Sequence, residues 1–289
     1  MTAATDPFPI ADKITFMAGC LPRTPFRQLT ECAAQAGFDS ITLWPNIWRH
    51  AQRKEGLTLA DMRAMLEHNG LKLTDVDAYR GWVPAPAPDA KELRLLRDNV
   101  ALEEFFEVST ALGGTTVVAA HMTDAPFDLD RDTEGFARLC DAAAARGLRI
   151  ALEAIAFSNV RDLATAWKVV EGAGRANGGI AADVAHHMRS TRDTAALLRI
   201  DPARIFTVQL CDGPDLAPPD LLDEAMYHRV LPGSGDMDVP GFIRTLTGMG
   251  VRASVGPEVY HESFMTRPPL EVMRELYAAT RDVLKGATG

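Results

Sequence analysis

The sequence predicts a single (β/α)8 barrel, and three observations carry that prediction. Short β-branched runs alternate with amphipathic helical stretches, eight such runs can be counted, and no composition shift divides them into two groups. An open dinucleotide-binding sheet would carry a GxGxxG turn after its first strand, where this chain has "GCLPRTP". The barrel is expected to span residues 1–289 as one domain, an ordinary size for this architecture.

The first strand is "ITFMA", 14–18. The helix after it opens with Thr24 as N-cap and Pro25 at its first position; Phe26, Leu29, Ala33 and Ala36 form the apolar face and Gly37 ends it. Strand 2 is "SITLW", 40–44. In "TLAD", Thr58 and Asp61 stand in capping-box spacing at the head of a helix that stops at Gly70, before strand 3, "LTDVDA", 73–78. The proline-rich "RGWVPAPAPDA", 80–90, reads as a loop leading to a long helix that ends near Leu112. Strands 4 to 7 are "TTVVAAH" 115–121, "RIALEAI" 149–155, "GIAADV" 179–184 and "IFTVQLC" 205–211. The excursion 213–241 is longer than a simple connection needs, and its aromatic and apolar residues predict a lid. Strand 8, "VRASVGPEV" 251–259, precedes a helix on which Leu270, Met273, Leu276, Tyr277, Val283 and Leu284 share one face.

Composition restricts the function. With 47% hydrophobic and 24% charged residues the chain reads as a soluble globular protein. A net charge of −9 opposes a nucleic-acid partner, whose phosphates call for a basic stripe. Cys20, Cys32, Cys140 and Cys211 lack CxxC spacing and read as reduced thiols of a cytoplasmic protein. No signal peptide opens the sequence, and no run reaches the roughly 18 apolar residues that cross a bilayer. The expected partner is a small molecule, and a homodimer is expected from symmetry alone.

Alternation along the later strands brings chemistry to one rim. In "RIALE", Ala151 and Glu153 share the inward face; in "IAAD", Ala181 and Asp183; in "FTVQL", Thr207 and Gln209, with Phe206 outward; in "ASVGPE", Ser254, Gly256 and Glu258. Barrel enzymes keep their chemistry at the C-terminal ends of the strands, where these four side chains are expected to converge. Three carboxylates and an amide oxygen repel one another unless a cation sits between them. An all-oxygen set suits Mn²⁺ or Mg²⁺ before Zn²⁺. The bland alternative is four solvated residues at strand ends.

The residues "ALEAIAFSN", "DVAHHMRS", "VQLCDGP", "GPEVYHES" and "LPGSGDMDVPGF" resemble the xylose isomerase-like barrel superfamily of sugar isomerases, epimerases and dehydratases. The resemblance implies a metal held by Glu153, Asp183, the strand-7 residue Gln209 and Glu258, with glutamine standing where the family has histidine. It also implies that His186, three residues after the strand-6 aspartate, contacts substrate or metal-bound water, with His187 turned elsewhere. Arg189 is a candidate for a substrate carboxylate or hydroxyl, or for a surface ion pair. His121 is a candidate base or hydroxyl contact, Trp44 and Trp48 an apolar wall or rim packing, and Asp212 a further carboxylate or a loop-start residue bonding its own backbone.

The chemistry expected of such a centre is an isomerase or epimerase of a keto-sugar or related polyol. The metal acidifies the C–H beside a carbonyl, and Glu153 and Glu258 serve as two bases on opposite faces of the enediolate. Loss of a β-hydroxyl from the same intermediate makes a dehydratase. A metal-dependent hydrolase and a non-catalytic sugar-binding barrel are the further alternatives. The endonucleases of this superfamily fit poorly, since they carry a histidine-rich multi-zinc pattern and this acidic chain has seven histidines in all.

Overall fold

The computed structural model describes residues 13–84, 100–123 and 125–288, so the N-terminal residues 1–12 and most of the proline-rich stretch 80–90 lie outside the described residues. Eight strands stand in chain order around one sheet: β1 (Thr15–Phe16), β2 (Ser40–Leu43), β3 (Lys72–Tyr79), β4 (Thr116–Ala120), β5 (Arg149–Glu153), β6 (Gly178–Asp183), β7 (Ile205–Leu210) and β8 (Ser254–Pro257). Each pairs in parallel with the next, and β8 returns against β1 to make an α/β barrel. Glycine is required at that seam. A Cβ on Gly256 would collide with the Thr15 carbonyl, so only a residue without a side chain lets the last strand approach the first.

Helices cover the outside: α1 (Phe26–Ala36), α2 (Pro45–Lys54), α3 (Leu59–His68), α4 (Leu102–Leu112), α5 (Leu129–Ala144), α6 (Leu163–Ala173), α7 (Val184–Arg189), α8 (Thr194–Leu197), α9 (Leu221–Tyr227), α10 (Val239–Gly248) and α11 (Pro269–Thr288). The Thr58–Asp61 capping box is present in both directions. The Thr24 cap is not. Helix α1 starts at Phe26, one residue later than its proline suggested, and its first N–H groups are capped from outside by Glu55, at 2.7 Å from Phe26 N and 3.3 Å from Arg27 N. Helix α2 follows β2 where the sequence reading had no helix; Pro45 occupies its first turn, which lacks intrahelical acceptors. Gly37 sits in the left-handed region at φ 104° and terminates α1.

The register slips at three pairings, β2–β3, β3–β4 and β6–β7, and the last of these reverses a side chain's expected direction. Between Ile180↔Ile205 and Ala181↔Thr207 the β6–β7 register slips, leaving Phe206 without a partner. Phe206 therefore turns inward, against Val118, Ala151 and Ala181, and not outward as alternation implied. The small inward residues make room for it. A Cβ on Gly179 would come within 2.7 Å of the ring's Cδ2. Among the described residues no helix is long and apolar enough to cross a membrane.

Candidate functional site

At the C-terminal ends of the strands the structure brings together all four residues that alternation pointed inward. Glu153, Asp183, Gln209 and Glu258 are each buried, with exposures of 1 to 5%. Asp183 and Gln209 stand opposite each other in the β6–β7 register. Asp183 also caps α7, accepting the His186 backbone N–H at 2.9 Å, which fixes the short helix directly over the strand end. Glu153, Asp183 and His186 each offer a ligand atom within 4.8 Å of the others, and His186 Nε2 lies 4.0 Å from Glu153 Oε1. Gln209 donates from Nε2 to Glu258 Oε1 at 2.7 Å, while its Oε1 is buried without any hydrogen-bond partner.

At the centre of this cluster is Arg229, which the sequence reading missed. Its Nη1 donates to Asp183 Oδ2 at 2.9 Å, to Glu258 Oε2 at 3.0 Å and to the Glu258 carbonyl at 3.0 Å. Its Nη2 lies 3.1 Å from His186 Nε2, and its guanidinium carbon stands 5.2 Å from the Tyr260 ring centroid. The long connection after β7 delivers it. Residues Asp212 and Val230 form an antiparallel bridge, His228 bridges His261, and the Arg229 N–H donates to the Tyr260 carbonyl, so the side chain between the two bridges is turned into the mouth. The one signal in the sequence is that Arg229 is the sole Lys or Arg in 213–241.

Carboxylate charge exceeds what this arginine neutralises. Burial first, then the neighbouring Glu258, Asp77 and Asp183 charges, pushes Glu153 well above the ordinary carboxylate range. Burial pushes Glu258 up to about 8 against the pull of Arg229, and Asp77 up to about 6 against the pull of Arg80. Asp183 goes the other way: although burial opposes its charge, Arg229 and His186 hold it below its usual value. Burial lowers His186 to about 4, so the imidazole is neutral and its Nε2 accepts from Arg229.

The cavity above the cluster is lined by Trp44, Asp77, Arg80, Met122, Phe157 and Tyr260 together with Glu153, His186, Arg229 and Glu258 of the cluster. Trp44 lines this cavity; it donates from Nε1 to Asp77 at 3.3 Å and meets Tyr260 edge-on at 5.2 Å. Trp48 packs in the core and donates to Glu104. His121 is placed away from the cavity. With Ala120 lining the mouth, the next residue turns outward, and His121 is fully buried 3.1 Å from Asp132 and against Trp82. Arg189 is also a structural contact: it makes a bidentate pair with Glu224 at 2.7 and 2.6 Å and donates to the Pro214 and Asp215 carbonyls. His187 is turned away against Phe242, as expected. Asp212 accepts from the Gly213, Gly233 and Met237 N–H groups, the loop-forming alternative, and burial pushes the thiol of Cys20 up to about 12, far from a reactive thiolate.

With this geometry in hand, comparison with known proteins is direct. Residues 31–283 match the family model described as xylose isomerase-like TIM barrel, and the chain belongs to that family. A 3-dehydroshikimate dehydratase of Pseudomonas aeruginosa is 29% identical over 258 residues, 87% of this chain and 38% of that protein. An inosose isomerase of Halalkalibacterium halodurans is 26% identical over 148 residues, covering 50% of this chain and 51% of the relative. The chain spans 38% of the length of the two Pseudomonas dehydratases it matches. Among solved structures, an IOLI protein with a bound zinc atom superposes with a TM-score of 0.81 at 21% identity, covering 96% of this chain and 99% of that one. A xylose isomerase-like TIM barrel/4-hydroxyphenylpyruvate dioxygenase fusion protein gives 0.79 at 24%, covering 92% of this chain and 42% of that one. At these identities the likeness is one of fold.

Proposed function

We propose that the chain is a divalent-metal-dependent lyase that removes water from a cyclic hydroxy-ketone bearing a carboxylate, the class to which 3-dehydroshikimate belongs. The observation that carries the metal is the orphaned Gln209 Oε1. A buried carbonyl oxygen without a donor costs about 1–3 kcal/mol, and the amide that bears it is hydrogen-bonded to Glu258, a member of a cluster with surplus carboxylate charge. Both defects are relieved by one cation. Glu153, Asp183, Gln209 and Glu258 would hold it, and the oxygen set favours Mn²⁺ or Mg²⁺ over Zn²⁺. When bound, the ion supplies Lewis-acid polarisation of the substrate carbonyl.

The chain's own residues do the rest. His186 is neutral and lines the cavity; once substrate oxygens take over the hydrogen bond that Arg229 Nη2 gives its Nε2, that lone pair takes the proton from the carbon beside the carbonyl. The same nitrogen returns that proton to the departing β-hydroxyl, so water leaves and the imidazole ends neutral. Arg229 and Arg80 line the cavity as donors for the substrate's oxygens, and a planar guanidinium fork suits a carboxylate. Trp44 and Tyr260 wall one side of the ring and exclude water. In this reading Glu153 and Glu258 are ligands, and the proton traffic that alternation assigned to them passes to His186.

Support for the lyase reading over the isomerase reading is the 87% coverage of this chain by the dehydratase relative. The test is the rise of aromatic ultraviolet absorbance from 3-dehydroshikimate with Mn²⁺-loaded protein. Wild type should turn over, His186→Asn should fall by roughly 10²- to 10⁴-fold, and His187→Asn should keep its turnover. A second reading, isomerisation of an inosose-like polyol at the same site, is favoured by the inosose isomerase relatives. Inosose conversion with an inert 3-dehydroshikimate would select it.

A further inference from the structure

The barrel has a second pocket at its opposite end, formed where the strands begin. It encloses about 290 Å³ between the ends of α3 and α4 and the first residues of β3, β4, β5 and β8, with the inward-turned Phe206 of β7 in its wall. Arg149, the first residue of β5, is its polar anchor. Its Nη2 donates to Thr116 Oγ1 at 3.0 Å and to Thr115 Oγ1 at 3.4 Å, and its guanidinium carbon stacks 4.4 Å from the Phe206 centroid. Nε and Nη1 have no hydrogen-bond partner among the described residues, and Arg149 forms no ion pair with any of them. Asp75 acts on it only through space.

A half-buried arginine normally repays its lost hydration with a carboxylate. This one has been fixed in orientation by two threonines and a ring while two edges of its fork stay open. The surroundings restrict what fills them. Leu66 and Leu112 line the apolar side, whereas Glu67 stands at the rim, paired with Arg63 at 2.9 Å, and opposes a second negative charge. An ion bearing oxygen on every side would leave acceptors against leucine.

The geometry points to this pocket as a binding site for a small organic monocarboxylate with a compact apolar body, its carboxylate clamped by Arg149 and its body against Leu66 and Leu112. A pocket of this volume suits a ligand of single-ring size, below the range of drug-sized sites. It lies across the barrel from Glu153 and Asp183 and shares no residue with the cavity there.

Benzoate is the probe, titrated calorimetrically into the full chain. Wild type should bind it saturably. Arg149→Gln should weaken binding at least about tenfold, because a charge-assisted fork is replaced by a neutral amide. Leu112→Trp, which keeps the arginine and fills the space, should weaken it likewise, and this variant decides the matter if Arg149→Gln fails the circular-dichroism test of folding. Arg80→Gln, in the other cavity, should leave unchanged the binding that Arg149→Gln and Leu112→Trp weaken. Absence of saturable binding to wild type, full affinity in Leu112→Trp, or loss of binding in Arg80→Gln would overturn the assignment.

Discussion

A guanidinium enclosed at 2% exposure has exchanged its water for partners, and Arg229 has three of them within 3.1 Å: Asp183, Glu258 and His186. Removing one member of such a buried set leaves the others uncompensated, which typically costs about 3–5 kcal/mol. Arg229→Gln is therefore expected to lower the unfolding free energy of the metal-free protein by roughly that amount in urea titrations. A loss below about 1 kcal/mol would mean that the carboxylates find protons or water without it. The four strand-end residues were legible in the sequence because a strand's side chains alternate with period two, and that rule survives wherever the ladder is regular. His121 was misplaced by one step of the same parity, since Ala120 takes the inward position. Phe206 was misplaced because a register slip carries no sequence signature as plain as glycine or proline. Arg229 was missed because no periodicity reaches a side chain delivered by a loop.

That loop is an element in its own right. Between β7 and α10 the chain folds over the mouth as α9 and then returns as the short bridge at Val230, so Ala225, Met226 and Arg229 close the cavity from above. Asp212 ties its two ends together through three backbone N–H groups, and Arg189 of α7 clamps Glu224, Pro214 and Asp215. Length and composition made this segment a candidate lid, and Arg189 was open to a substrate contact or an ion pair because an arginine beside a strand end looks the same in either role; it makes the ion pair, with Glu224. The distinction is testable. Arg189→Ala should speed proteolysis within 213–228 and raise KM while lowering kcat, since the lid that carries Arg229 is then poorly held. A variant with wild-type proteolysis and a raised KM alone would restore the direct substrate role.

At the scale of the whole molecule, the barrel places one polar system at each end of an apolar stack built from Val118, Ala151, Ala181 and Phe206. Below that stack, burial pushes Asp75 up to about 7, with Asp77 adding to the rise and the Thr207 hydroxyl, 3.2 Å away, favouring the charge. A carboxyl raised in the fold from its ordinary value of 3.8 binds a proton more tightly native than unfolded. Its stabilising share is whole below about 3.8 and is lost progressively as pH rises from there through about 7. Urea midpoints should therefore fall as pH rises from about 4 to about 7 and level off above that, and Asp75→Asn should flatten part of that slope. An identical slope in the variant would assign the whole effect to other groups. At the opposite end, the proposed divalent-metal centre joins three carboxylates and the unpartnered Gln209 oxygen beside a neutral His186. The most direct test is elemental analysis of protein dialysed against Mn²⁺, on wild type and on Asp183→Asn and Gln209→Leu. The account predicts a single bound ion per wild-type chain, none in Asp183→Asn and markedly less in Gln209→Leu; wild-type protein that retains no metal would contradict it.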